Sequence, residues 1–244
     1  MERRIDKLNW RDIKKLKKSC DLALLPIGTL EAHSITSNGT DTIIPEYICE
    51  KIAEKLNGLI YPPVHYSITS SLLPYPGSVT LKDETFEKLI FDIALSIKKD
   101  KFKYLVIING HGGNNKVLSD LKKRIFLETG MFVIIIHWWV VGYPLCRKVF
   151  GKDGGHGGVD ETAMVNVIDN KQVFKEYLKD ENLYYKVVDG VETIPAPAST
   201  ILYSENDGKI DLDIKKSKKY CNLVIEKINK IIFENIEKFR KYFD

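Results

Sequence analysis

Short apolar runs alternate with amphipathic stretches along this chain. Residues 22–27 (LALLPI) form a continuous apolar run of strand length, followed by a polar loop as far as Thr42. Pro45, pre-set for a first helical turn, predicts a helix from there to about Leu56, with Ile48, Ile52, Ala53 and Leu56 on one face. Residues 59–62 predict a second short strand, and residues 63–82, rich in Ser, Pro and Tyr, a long ordered loop. A helix over 83–99, capped by Asp83, would gather Phe86, Leu89, Ile90, Ile93 and Ile97 on one face. The clearest buried strand is 104–108 (YLVII), which runs directly into Asn109-Gly110-His111. A helix over 115–128 stops at Gly130, and 131–136 returns as a strand. The apolar run resumes after His137 at 138–141, which we read as strand as well. A helix follows the Gly-rich stretch 151–158 and runs through Val167, and 214–242 is a long Lys/Glu-rich amphipathic helix. No repeats or linkers interrupt this alternation, which predicts α/β architecture: one domain, with a largely parallel sheet covered on both faces.

Composition narrows the class. With 44% hydrophobic and 29% charged residues, the chain can build a core and is not disordered. A formal net charge of +4 is too balanced for a dedicated binder of nucleic acid or membrane surfaces. No run approaches the ~20 apolar residues of a spanning helix, and the first ten residues lack the apolar stretch of a signal peptide. Cys20, Cys49, Cys146 and Cys221 are scattered with no CxxC pair, as expected of reduced thiols in a cytoplasmic protein. Abundant Lys, Glu and Ile beside a single Gln, Gln172, match hyperthermophile usage.

Three polar clusters follow the predicted strands, where open α/β sheets place their ligands. They are Gly28-Thr29-Leu30-Glu31-Ala32-His33 with Gly39-Thr40-Asp41, then 109–114 (NGHGGN), then 155–162 (GHGGVDET). Together they hold three of the five histidines, among glycines that let backbone approach a small ligand closely. Glu31, His33, Asp41, His111 and Glu161 make a carboxylate and imidazole set for two divalent metal ions, with no thiolate, suited to Zn, Mn or Fe(II). Two ions ~3.5–4 Å apart need a bridge, which an Asp carboxylate can supply. His65 lies in a Pro/Tyr loop and is a candidate for the mouth of a pocket; His137 reads as a packed residue. Trp138 and Trp139 either wall a substrate site or pack in the core. No GxGxxG, P-loop or GxSxG motif is present, which speaks against dinucleotide, nucleoside triphosphate or serine hydrolase chemistry. The Lys runs at 14–18 and 215–219 read as solvated helix faces.

At these clusters the sequence resembles the creatininase family of metal-dependent amidohydrolases. The resemblance rests on GTLEAH at 28–33, GTD at 39–41, Pro62-Pro63, Tyr75-Pro76-Gly77-Ser78, NGHGGN at 109–114 and HGGVDET at 156–162, in order over residues 22–168. It implies a three-layer α/β/α sandwich, small-molecule substrates and members that are often homo-oligomers. It also implies that Glu31, Asp41 and His111 hold one metal ion, that His33, the bridging Asp41 and Glu161 hold the other, and that His156 relays a proton. Gly113 stands where creatininase itself carries a Glu, Leu72 where many members carry a His, and residues 34–37 lack the usual His and Pro. These departures speak against creatinine as substrate.

The composition and the divergent first loop look most like the archaeal branch. Its implied activity is deformylation of a formylaminopyrimidine ribonucleotide monophosphate, on the route to riboflavin and the deazaflavin coenzyme, with formate released. The rival expectations are a creatininase-like hydrolase of a cyclic amide or of a small modified peptide, a metal-binding protein without turnover, and a nucleotide-binding regulator.

Overall fold

The computed structural model describes residues 1–179, 184–186, 190, 191, 193–195, 201–203 and 210–243. Helix α1 (Trp10–Leu16) precedes strand β1 (Leu22–Ile27), helix α2 (Thr40–Ala53) and strand β2 (Gly58–Ile60). Helix α3 (Asp83–Lys99), strand β3 (Tyr104–Asn109), helix α4 (Asn115–Thr129) and strand β4 (Phe132–His137) follow. Helices α5 (Trp138–Phe150) and α6 (Val159–Ile168) come next, then two short paired strands, β5 (Tyr184–Lys186) and β6 (Ile201–Tyr203), and helix α7 (Ile214–Phe243).

Four strands form one sheet in the order β2-β1-β3-β4, every neighbouring pair parallel. β1 and β3 are buried along their whole length, which is why they appear in sequence as unbroken apolar runs rather than alternating ones. The alternation is still present, hidden by burial on both sides. Leu22, Leu24, Val106 and Ile108 face α2, α5, α6 and α7, whereas Ala23, Leu25, Leu105 and Ile107 face α3 and α4. The result is the expected three-layer α/β/α arrangement. Helix α7 covers its side with Tyr220, Val224, Ile228, Ile232 and Ile236, one buried residue every four.

Three elements differ from expectation. α2 starts at Thr40, a full turn before Pro45, so Pro45 lies inside the helix and Asp41 in its first turn. Pro45 is tolerated because the bond it cannot make would go to the carbonyl of Asp41, and that carbonyl is taken up by other packing. Asp83 is the first residue of α3 instead of its cap; Lys82 holds the cap position with no side-chain bond. Residues 138–141 open a helix rather than extend a strand. α5 buries Trp138, Gly142 and Cys146 at four-residue spacing, a period invisible in so short an apolar run.

The topology positions the site. After β1 the chain crosses through α2 to β2 on one side, and then through α3 to β3 on the other. The carboxyl ends of β1 and β3 therefore flank the switch point, where a crevice opens in sheets of this kind.

Candidate metal centre

Each polar cluster is carried to that crevice by its own element. Beyond β1, the Gly28 amide donates to the Val64 carbonyl at 2.9 Å, and a Cβ on Gly28 would collide with Thr42 and the Asp41 carbonyl. The loop behind it thus lies tight against α2. It presents Glu31 and His33, while Asp41 projects from the first turn of α2. His111 stands two residues beyond β3. Glu161 is the third residue of α6, and its Oε2 accepts from the Gly157 amide at 2.7 Å. Gly157 has φ 66°, a left-handed conformation that lets the 154–158 loop turn back and point His156 at the cluster.

Asp41 lies at the middle of the cluster. Its Oδ1 is 2.9 Å from His33 Nε2, and its Oδ2 is 2.8 Å from His111 Nδ1. His111 Nδ1 is also 3.1 Å from Glu31 Oε1, and His33 Nε2 is 3.7 Å from Glu161 Oε2. Among the described residues three donor groups result: Glu31, Asp41 and His111; His33, Asp41 and Glu161; and Glu31, His33 and His156, the donor atoms of each within 4.8 Å of one another. The first two share Asp41, one carboxylate oxygen turned to each. The structure thus brings together all five residues expected as ligands, and His156 beside them.

The donor set fits divalent ions better than it fits itself. Among the described residues, Glu31 Oε1 is buried with no hydrogen-bond partner, although imidazole nitrogens of His111 and His156 stand 3.1 and 3.4 Å away. Burial works against charge on His33, yet Asp41, Glu161 and Glu31 together lift its pKa to about 10. Burial likewise opposes charge on His111, and Glu31 and Asp41 lift it to about 10. Burial pushes the Glu161 carboxyl well above the usual range. For Asp41 the two neighbouring imidazoles outweigh burial and hold its pKa down. Protons therefore occupy positions that cations would take. The His33 Nδ1–H donates to the Glu31 carbonyl at 3.0 Å, which leaves Nε2 as the nitrogen aimed at the centre.

A cleft of about 280 Å³ opens over the cluster, with Ser71, Leu72, Trp139 and Tyr143 in its walls. Of the tryptophan pair, Trp139 lines the cleft and Trp138 is core. His65 is exposed and is not among the residues that line the cleft. His137 Nδ1 accepts from Asn109 Nδ2 at 3.0 Å, in keeping with a packed role. Tyr143 and Thr69 were missed. Tyr143 sits one turn after Trp139 and would have been found had α5 been recognised. Thr69 carries no local signal; its hydroxyl donates to Glu31 Oε2 from a segment far away in sequence. All four cysteines are buried free thiols. Among the described residues, no helix is long and apolar enough to cross a membrane.

A parallel α/β sheet with a carboxylate–imidazole cluster at its carboxyl edge places the chain in the class of α/β proteins with a candidate metal centre. Within that class the chain matches the creatininase family, described as creatinine amidohydrolase, over residues 6–210, and it belongs to that family. It is 26% identical to a creatinine amidohydrolase of Pseudomonas putida over 181 residues, 66% of this chain and 70% of that protein. It is 26% identical to a 3-dehydro-scyllo-inosose hydrolase of Thermotoga maritima, over 65% of this chain and 50% of that one. A 2-amino-5-formylamino-6-ribosylaminopyrimidin-4(3H)-one 5'-monophosphate deformylase of Methanosphaera stadtmanae is 32% identical over 85 residues, 34% of this chain and 36% of its own. Among solved structures, a mutant creatininase of Zn–Zn type superposes with a TM-score of 0.84 at 19% identity, covering 96% of this chain and 98% of its own.

Proposed function

We propose that this protein is a metal-dependent amide hydrolase that removes the formyl group from 2-amino-5-formylamino-6-ribosylaminopyrimidin-4(3H)-one 5'-monophosphate. The observation that carries the hydrolase reading is Asp41, whose two oxygens are turned to two separate donor sets. Glu31, Asp41 and His111 would hold one divalent ion, and His33, Asp41 and Glu161 the other, with Fe(II), Zn and Mn all compatible. When bound, such a pair acidifies water and polarises an amide oxygen.

The chain's own residues supply the rest. His156 Nε2–H is held on the Ala32 carbonyl at 2.8 Å, so Nδ1 faces the cluster as an acceptor. From there it takes up a proton and hands it to the departing amine nitrogen. In the metal-free protein, burial and the neighbouring His33 charge lower the His156 pKa to about 4. Trp139 offers a flat wall for a planar substrate. Formate and the free aminopyrimidine nucleotide would be the products.

Support for the pyrimidine substrate is the local match to the deformylase, and Gly113 speaks against creatinine. A Cβ there would collide with the Ile68 carbonyl and lie 2.6 Å from His111 Nε2, so this backbone does not accommodate the Glu that creatininase carries. The longer matches, to hydrolases of other compounds and to mycofactocin precursor peptide peptidases, support a second reading, a cyclic amide or a small modified peptide. The deciding experiment measures formate released anaerobically by metal-stripped protein reloaded with Fe(II), Mn(II) or Zn(II). Metal-dependent formate is expected. Protein that holds two ions, releases no formate and hydrolyses a cyclic amide or a small modified peptide would replace the first reading with the second.

A further inference from the structure

We infer that Thr69 is a positioning residue: its hydroxyl holds Oε2 of Glu31 and so presents Oε1 alone to the ion that Asp41 and His111 would share. The inference rests on the metal centre proposed above. Thr69 is buried, and its Oγ1 donates to Glu31 Oε2. The two carboxylate oxygens thereby become unlike. Oε2 has a fixed donor, whereas Oε1 has none and is the oxygen beside His111 and His156. A glutamate has three rotatable bonds, and without such a tie it can offer either oxygen, or both, to an ion.

The tie is itself held from three directions. Ser67 Oγ donates to the Gly28 carbonyl at 2.7 Å, at the root of the loop that carries Glu31. The Ile68 amide donates to Asn114 Oδ1 at 3.4 Å, in the loop that carries His111. The Thr69 amide donates to Thr80 Oγ1 at 3.0 Å, and the Leu81 amide to the Ser67 carbonyl at 2.7 Å. Three consecutive residues thus register the hydroxyl against both ligand loops and against the far end of their own segment. This is the support a ligand needs to be held to a fraction of an ångström, and it gives the 63–82 loop a role that its composition does not suggest.

The test is Zn(II) uptake by metal-stripped wild type, Thr69→Val and Thr69→Ser, read as stoichiometry and affinity against a chromophoric chelator. Valine keeps the volume and removes the donor. The expected result for T69V is one equivalent weakened about 10–100-fold with the other retained, and an unchanged melting temperature for the metal-free protein. T69S should recover wild-type affinity within about threefold. Two equivalents bound by T69V at wild-type affinity would overturn the inference and leave the metal centre standing, as would equal weakening at both positions that serine does not rescue. Wild type that takes up no Zn(II) would overturn the centre itself, and the role of Thr69 with it.

Discussion

Gly110 and the carbonyl of Asp41 touch so closely that a Cβ on Gly110 would overlap the carbonyl oxygen. The contact joins the residue after β3 to the first turn of α2, and therefore His111 to Asp41. It is possible because Pro45, four residues beyond Asp41, has no N–H to claim that carbonyl for the helix.

Gly110→Ala should push the two ligand loops apart. We expect bound metal to fall below one equivalent, and stability to drop by about 1–3 kcal/mol, the usual cost of overpacking. Gly112→Ala is the control, since a Cβ there meets nothing within 4 Å among the described residues. Elemental analysis and denaturant unfolding of both variants check this.

Replacing Asp41 differs in kind from replacing a ligand of one ion. Asp41→Ala should lose both ions and all turnover, because both groups proposed to hold an ion include its carboxylate. Glu161→Gln should retain about one equivalent. Equal metal content in the two variants would contradict the bridging role.

Stability of the metal-free protein should depend on pH with a defined sign. His33 and His111 are raised from 6.5 to about 10 in the folded state. Groups raised in this way contribute stability that is complete below pH 6.5 and lost as pH climbs through about 10. Urea midpoints of chelated protein should therefore fall between pH 6.5 and pH 9.5. His156, lowered to about 4, acts only below this window. Loading with Zn(II) at pH 7.5 should release protons and flatten the dependence, which potentiometry during titration can measure.

His156→Ala should keep both ions, since neither proposed ion depends on it, and lower kcat by about 10²–10⁴-fold, the range for loss of a proton-transfer group. Metal content and steady-state kinetics on the same preparation separate the two effects. Loss of one ion would instead make His156 a ligand, through its group with Glu31 and His33.

Much of this protein is legible along the chain. β1 and β3 appear as apolar runs because they are buried on both faces, and α3, α4 and α7 show the spacing of a single buried stripe. Gly130 ends α4 in a left-handed conformation, as a glycine after a periodic segment should. The residues of the cluster were also readable, since carboxylates and imidazoles set among glycines after strands are an unusual local composition.

What the chain by itself determined is therefore the class of architecture and the chemical type of the donors, because hydrophobic period, turn residues and ligand identity are local properties. Tertiary structure alone decided which donors meet, that Asp41 turns one oxygen to His33 and the other to His111, and that Thr69 ties Glu31. It also placed Asp41 in the first turn of α2 instead of the loop before it, and turned 138–141 into helix. These outcomes depend on contacts between residues up to 128 positions apart, such as His33 with Glu161. No window of local sequence contains both partners, and only the packing of β1, β3 and α6 around one crevice brings them within reach.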